Sequence, residues 1–404
     1  MADRMYAERV LSGMRPTGSL HLGHYHGVLK NWVRLQHEYP CLFFVADWHA
    51  LTTQYDDPHG IVGAARDMVI DWLAAGVDPR RAIIFVQSKV PEHAELHLLL
   101  SMMTPLGWLE RVPTYKDQQE KLEHKDLSTY GFLGYPLLQA ADILIYRAGK
   151  VPVGEDQVPH IEFSREIARR FNHLYGREPG FAEKVREALQ KLGAKRARRY
   201  EELRTHYQER GDQAAIEAAR RLLDEVHDLS HADRERLCGH LEGTGKMILV
   251  EPGALLTAAA RMPGLDGQKM SKSYGNTITL REDATSVTHK LRRMPTDPAR
   301  VRRSDPGEPD NCPVWQLHQV YSDEDCRAWV QQGCRSAGIG CLDCKQPVIE
   351  GILREQAPMR ERAQPYLDDP HLVNEIIADG NGRARHLARE TMRDVRQALG
   401  LDYI

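Results

Sequence analysis

Two short stretches carry side chains whose types and spacing suit phosphate chemistry. The first is Gly13-Met14-Arg15-Pro16-Thr17-Gly18-Ser19-Leu20-His21-Leu22-Gly23-His24. It leaves a short apolar run, Val10-Leu11-Ser12-Gly13, and opens a helical stripe, so its free backbone N–H groups and the helix dipole favour an anion. His21 and His24, three apart, share one face of the first helical turn and offer ring donors to phosphate oxygens, while Gly23 leaves room for a flat base. A Walker A loop is excluded because no Gly-Lys-Ser/Thr follows, and a dinucleotide fingerprint because the Gly-x-Gly-x-x-Gly spacing is absent. The second stretch is Gly267-Gln268-Lys269-Met270-Ser271-Lys272-Ser273. Two lysines three apart, set among serines and preceded by Gly264 and Gly267, describe a mobile basic loop suited to the spread charge of a pentavalent phosphorus. Each stretch alone has a plain structural reading, as capping histidines or a solvated turn; their presence together in one α/β chain favours the nucleotide reading.

A third constellation is sulfur. Cys312-x₂₁-Cys334-x₆-Cys341-x₂-Cys344 forms a four-thiolate set, with Gly338 and Gly340 allowing the backbone to wrap a metal. Chemistry alone admits Zn²⁺ or an iron–sulfur cluster, since both take four cysteines. Cys326 is left over and is expected to pack as a small hydrophobe. Seven cysteines, an odd number, in a long chain argue against a disulfide framework and for a reducing, cytoplasmic setting.

Elements must position these groups. Cys41–Ala46 and Ala82–Val86 are continuous apolar runs, as strands covered on both faces should be. Between them Tyr25, Val28, Leu29, Trp32 and Leu35 recur at helical spacing, and Ile61–Ala75 is helical in pattern. Strands alternating with helices predict βαβ units and a mostly parallel sheet. From Phe181 to His240 the texture changes, with 25 of 60 residues charged; this predicts a helical excursion such as an antiparallel hairpin. Lys191, Lys195, Arg196, Arg198 and Arg199 there form a solvated face or a contact to RNA. Beyond Arg293 the chain is helical to Gly400, with Arg292, Arg293, Arg300, Arg302 and Arg303 available to pair with phosphates. The expected domains are 1–176 with 247–290, an insertion at 177–246, and a helical domain at 291–404. The net charge of −3 confines any nucleic-acid surface to local basic patches, and no apolar run approaches a membrane span.

His21-Leu22-Gly23-His24 resembles the HIGH motif, and Lys269 to Ser273 the KMSKS motif, of class I aminoacyl-tRNA synthetases. Tyr135 to Leu144 (Tyr-Pro-Leu-Leu-Gln-Ala-Ala-Asp-Ile-Leu) and Val151 to Gln157 (Val-Pro-Val-Gly-Glu-Asp-Gln) are similar to the bacterial tryptophanyl-tRNA synthetase family in particular. The resemblance covers nearly the whole chain except the charged excursion. It implies a Rossmann-like, doubly wound parallel sheet carrying the catalysis, a helical insertion and an all-α anticodon-binding domain. It implies ATP, with Mg²⁺, met by Arg15, Gly23, His24, Gly154, Glu155, Asp156 and Lys269 through Ser273, including Met270 and Ser271. His21, His24, Lys269 and Lys272 would carry catalysis. Asp142 would accept the indole N–H of tryptophan, with Gln139 and Gln157 nearby. A subset of the family holds a [4Fe–4S] cluster at a spacing close to that of Cys312, Cys334, Cys341 and Cys344, zinc being the alternative. The implied partners are tRNA(Trp), L-tryptophan and a second copy of the chain. Two departures bear on this. Gln139 stands where many of the family have methionine, and a glutamine beside an aspartate also suits a tyrosine phenol, so a tyrosine–tRNA ligase is the alternative enzyme. Arg15 replaces a glutamine common in the family. Two further readings are a nucleotidyltransferase, disfavoured by the Lys269–Ser273 motif and the long helical C-terminal part, and a synthetase-derived RNA-binding protein, disfavoured by two intact motifs.

Overall fold

The computed structural model describes residues 8–112, 129–176, 180–226, 228–243, 245–256 and 262–402. Five strands, β1 (Val10–Met14), β2 (Cys41–Val45), β3 (Ala82–Val86), β4 (Lys150–Val153) and β5 (Gly253–Leu256), form one sheet in the order β3-β2-β1-β4-β5. Every pairing is parallel. The β2 pleat explains the continuous apolar run: Cys41, Phe43 and Val45 join the core on one face, and Leu42 and Phe44 the core on the other. On the first face Trp32 stacks on Phe43 at 4.2 Å and meets Trp72 edge-on at 5.1 Å. The doubly wound fold read from the sequence is therefore present.

The helices that matter for the site are α1 (Lys30–Leu35), α2 (Asp47–Gln54), α3 (Ile61–Ala75), α4 (Glu92–Ser101), α5 (Tyr135–Leu144) and α6 (Val158–Tyr175). The stripe from Tyr25 onward is not one uniform helix, because a π-helical turn at Tyr25–Leu29 precedes α1. Such wide turns occur mostly as single insertions and often at functional sites. β1 and β4 pair only through Val10 and Lys150 near the start of β1, where the strand order reverses. The carboxyl ends of open α/β sheets at such a reversal are where ligands bind.

The charged excursion is four helices, not a hairpin: α7 (Phe181–Leu192), α8 (Ala194–Arg210), α9 (Gln213–Asp224) and α10 (His231–Leu241). Gly193 and Gly211, both at positive φ (+77° and +65°), break it, and Asp212 caps α9 through the N–H groups of Ala214 and Ala215. These helices bury a core of their own, including Val185, Tyr200, Ile216, Leu223 and Leu237.

After α11 (Ala284–Arg293) come α12 (Pro313–Tyr321), α13 (Glu324–Arg335), α14 (Cys341–Asp368) and α15 (Pro370–Leu399). α14 gives Val348, Ile349, Ile352 and Met359 to the first face's core, and α15 gives Ala384, Ala388, Met392 and Val395 to the second. α15 covers the outer edge of β3: Asn381 Oδ1 accepts the Val86 N–H at 2.9 Å. Among the described residues, no helix is long and apolar enough to cross a membrane.

Candidate active site

The two phosphate-type motifs come together. Leu22 N–H donates to Ile278 O and Leu280 N–H to Leu20 O, both at 3.0 Å, so the segment after the lysine loop lies antiparallel to the histidine segment. Asp71 on α3 holds both: one carboxylate oxygen accepts the Leu20 N–H at 2.9 Å and the other the Arg281 Nε–H at 2.6 Å. The lysine loop then folds back. Lys272 Nζ donates to Thr17 O at 3.2 Å, and Met270 is buried against Gly23, where an added Cβ would lie 3.6 Å from that of Met270. Asn276, also buried, shapes this loop from inside; it accepts the Ser271 N–H at 2.8 Å and donates to Asp266 and the Lys269 carbonyl.

The histidines differ from what their spacing suggests. His21 is the N-cap of a single turn, and its backbone N–H donates to His24 Nδ1 at 3.2 Å. His24 Nδ1 is thereby an acceptor, which leaves Nε2 to carry the ring proton. Their rings lie 3.8 Å apart. Burial first, and then Lys272, draws His21 down to about 4. Burial, His21 and the two lysines draw His24 down to about 3. At neutral pH both imidazoles are therefore uncharged donors, and the positive charge of the site is that of the lysine loop. The bare face of Gly23 is occupied by the His21 ring, 2.9 Å from where a Cβ would stand, so its lack of a side chain serves that close approach. Arg15, just past β1, is exposed.

Asp142 on α5 is 1 % exposed and saturated on one side. Its Oδ1 accepts from Gln87 Nε2 at 2.8 Å and His93 Nδ1 at 2.6 Å, and its Oδ2 from His49 Nε2 at 2.7 Å. Burial alone would raise this carboxyl; the hydrogen bonds from His49 and His93 outweigh it and hold the group at about 2. His93 Nε2 lies 2.7 Å from the Tyr146 hydroxyl, whose proton burial retains, so the order runs Tyr146 O–H to His93 to Asp142. A carboxylate oxygen accepts about two hydrogen bonds, so Oδ2 has one position left for a donor. Gln87 and His49 stand just past the carboxyl ends of β3 and β2, and His93 on the next helix. Drawn from separate elements, they leave no local signal in the sequence, which is why only Asp142 was found there.

A cavity of about 360 Å³ opens beside this cluster, lined by Trp48, Thr52, Tyr55, His97, Tyr130 and Leu138 among others. The Gly154-Glu155-Asp156-Gln157 turn leaves the end of β4 on the same edge of the sheet, and Gln157 Nε2 donates to Asp156 at 2.9 Å. His160, one turn later, is lowered to about 4 by burial and then by His49, with Asp156 opposing, and its ring lies 5.7 Å from that of Tyr135, so this turn faces the helix that carries Asp142. Gln139 is half-buried one turn before Asp142 on α5.

The four cysteines also gather. Burial, and then Cys312, Cys334 and Cys341, push the Cys344 thiol up to about 12. Among the described residues, however, no three His, Cys, Asp or Glu side chains converge as a single metal ion requires. Cys326 packs with Trp315, Val330 and Ile339, as a small hydrophobe should. Arg300 departs from its expected part in a phosphate-binding face: it is 8 % exposed and turned inward, with one guanidinium nitrogen 3.9 Å from Cys334 Sγ and another bonded to the Arg303 carbonyl. Arg292, Arg293, Arg302 and Arg303 are exposed.

A parallel sheet with a histidine turn and a lysine loop clasped over its carboxyl edge defines a class I synthetase catalytic domain. The family model for class I tRNA synthetases (W and Y) matches residues 6–193 and 211–353. The chain is 73% identical to a tryptophan–tRNA ligase of Ralstonia nicotianae over 399 residues, covering 99% of this chain and 100% of the relative. It is 46% identical to one from Thermotoga maritima, over 97% of this chain and 99% of that protein. Among solved structures, the tryptophanyl-tRNA synthetase of Campylobacter jejuni complexed with ADP and tryptophan superposes with a TM-score of 0.73 at 27% identity, covering 97% of this chain and 100% of that one. The chain belongs to the class I aminoacyl-tRNA synthetases for tryptophan and tyrosine.

Proposed function

We infer that the chain is a tryptophan–tRNA ligase, and that Asp142 is the group that selects the amino acid. The enzyme activates L-tryptophan with ATP: a carboxylate oxygen attacks the α-phosphorus in line, the bond to the β-phosphate oxygen breaks, and tryptophanyl-adenylate and pyrophosphate result. The 2′-hydroxyl of the terminal tRNA adenosine then attacks the acyl carbon and AMP leaves. Neither step needs a protein nucleophile; positioning and charge at the phosphates supply the rate.

The observation that carries the choice of tryptophan is the ionised, acceptor-only Asp142 with one open position on Oδ2. An indole N–H only donates and is matched there, whereas a phenol hydroxyl also brings an acceptor that needs its own donor. Gln139 and Gln157 border the amino acid in this reading. His21 and His24 donate to the triphosphate, whose charge is met by Mg²⁺, Lys269 and Lys272. Arg15, Gly154, Glu155 and Asp156 complete the nucleotide site. ATP–pyrophosphate exchange with tryptophan or tyrosine, without tRNA, tests the reading; exchange with tyrosine alone overturns it.

Cys312, Cys334, Cys341 and Cys344 hold a [4Fe–4S] cluster in this reading. Its support is the chemistry of four thiols placed near enough to act on one another, the Cys344 thiol being raised in part by Cys312, Cys334 and Cys341. Such a group would cross-link α12, α13 and α14; metal analysis and the absorption spectrum of anaerobically purified protein decide between iron–sulfur and zinc. A homodimer is supported by exposed apolar side chains on α4, the turn after it and the start of the short helix Leu106–Leu109, namely Leu98, Met102 and Leu106. The exposed arginines 292, 293, 302 and 303 are assigned to tRNA(Trp), with residues 291–404 as the anticodon-binding part. The cytoplasm is the compartment that fits the reduced thiols.

A further inference from the structure

The turn that follows His24 is tied to the C-terminal helices by polar groups that the activation chemistry does not use. In the π-helical turn, His26 Nε2 lies 2.9 Å from Glu355 Oε2 on α14 and 3.1 Å from the Tyr321 hydroxyl at the end of α12. Tyr321 donates to the same Glu355 oxygen at 2.8 Å, which closes a triangle. The side chains of His26 and Glu355 are only 7% and 19% exposed, so these contacts act where water screens them little.

Gln356, the next residue, is fully buried and reaches toward the other motif. Its Nε2 donates to Thr279 O at 2.7 Å, and Thr279 forms the bridge to His21. One turn further on, Arg360 donates to Glu282 O at 3.2 Å. Adjacent residues of one C-terminal helix thus grip the turn that carries His24 and the segment that seats His21. His26 makes these contacts from within the wide turn. A purely structural contact would need no such set, because a well-packed apolar replacement of buried polar groups is often as stable.

We propose that Glu355 and Gln356 are positioning residues for amino-acid activation: acting through His26 and Thr279, they set His24 and His21 against the triphosphate, so that the C-terminal helices govern the nucleotide site. This rests on the synthetase reading above. The tryptophan side of the site lies on α5, in the core of the opposite sheet face, and is outside the link. The signature is therefore split: the ATP terms move and the tryptophan terms do not.

The test uses the full chain in ATP–pyrophosphate exchange. Tyr321→Phe removes only a hydroxyl, and Glu355→Ala removes the shared acceptor. Each is expected to lower kcat/KM for ATP by about tenfold or more, the scale of a small misplacement of reacting groups, with KM for tryptophan unchanged. Glu355→Gln, which keeps a carbonyl acceptor, is expected to restore most of what Glu355→Ala loses. A His26→Gln/Tyr321→Phe double variant should lose less than the product of the single losses, as coupled groups do. If Glu355→Ala fails to fold, Tyr321→Phe alone decides. Unchanged ATP parameters with a lowered unfolding midpoint, or equal changes in the ATP and tryptophan parameters, would overturn the proposal. Absence of exchange in the unaltered protein would instead overturn the reading on which it rests.

Discussion

Asp142 shows how much a few hydrogen bonds accomplish at a single residue. Fully out of water, it stays ionised because His49, His93 and Gln87 replace the water it has lost. Asp142→Asn turns one acceptor into an N–H₂ donor facing donors. Hydrogen bonds to charged groups are worth about 1.5–3 kcal/mol, so KM for tryptophan should rise by about 10- to 100-fold with KM for ATP little changed. Varying tryptophan at saturating ATP, and then ATP at saturating tryptophan, in exchange assays reads both constants; an unchanged tryptophan constant would remove Asp142 from the site. The histidines set the acid limit of the fold. Burial holds His21, His160, His240 and His318 at about 4, against 6.5 for the free side chain, and His24 at about 3. Between those values the unfolded chain binds protons that the folded chain does not, so stability is present above about pH 6.5 and falls as pH falls toward 4. Thermal unfolding across that interval should show the midpoint dropping steadily, and saturating ATP should lessen the drop, because a bound triphosphate favours charged His21 and His24. At this scale His21, His24, Lys269 and Lys272 were legible because each pair lies within one turn of chain. His49, Gln87 and His93 were not, because only the fold brings three elements to one carboxylate.

At the scale of elements, the lysine loop depends on a residue outside its motif. Asn276 fixes Ser271, Lys269 and Asp266 from the loop's interior, and Gly275 beside it takes a positive φ of +63°. Asn276→Ala leaves every charge in place and frees the path along which they travel. The expected result is a kcat for exchange lowered by about tenfold or more with KM for tryptophan unchanged; an unaltered kcat would mean that the loop's resting conformation has no part in the reaction. Sequence patterning located β2, β3 and α3 because their apolar runs are continuous or strongly periodic, and β1 because a short apolar run leads into the Pro/Gly loop. It missed β4 and β5 as strands: β4 is four residues with Pro152 inside, and β5 is half exposed. It also merged four insertion helices into a hairpin, although Gly193, Gly211 and the Asp212 cap mark breaks in the chain. The π-helical turn at Tyr25 has no compositional mark at all, since apolar spacing alone does not separate a five-residue turn from an ordinary one.

For the whole molecule, the decisive fact is that the last helix completes the first sheet. An edge strand presents unpaired backbone groups, and β3 is such an edge. α15 covers it by bringing its backbone against Ile84, which Gly380 alone permits: a Cβ there would stand 1.8 Å from the Ile84 carbonyl oxygen. Arg396 then clamps the helix to Glu95 of α4 through two hydrogen bonds of 2.7 and 2.6 Å, and Arg147 pairs with Asp394 at 2.5 Å. Leu387, Val395 and Leu399 recur at helical spacing before Gly400, but nothing local says that this stripe belongs to a sheet formed some 300 residues earlier. Gly380→Val must push the helix off the edge or bend it, and should cost about 4 kcal/mol or more, the range reserved for overpacked or strained cores. Gly382, two residues on, has open space around its Cα, so Gly382→Ala should gain helix propensity and stabilise by up to about 1 kcal/mol. The pair separates docking from helix formation: both substitutions favour the isolated helix, and only one collides with the sheet. Denaturant unfolding of the two variants, with exchange activity measured alongside, reads the contrast. If Gly380→Val unfolds at the same denaturant concentration as Gly382→Ala, the seat of α15 on β3 is not what holds the two ends of the chain together. If it loses stability and activity in parallel, the sheet that positions the nucleotide motifs is complete only once the final helix has closed its edge.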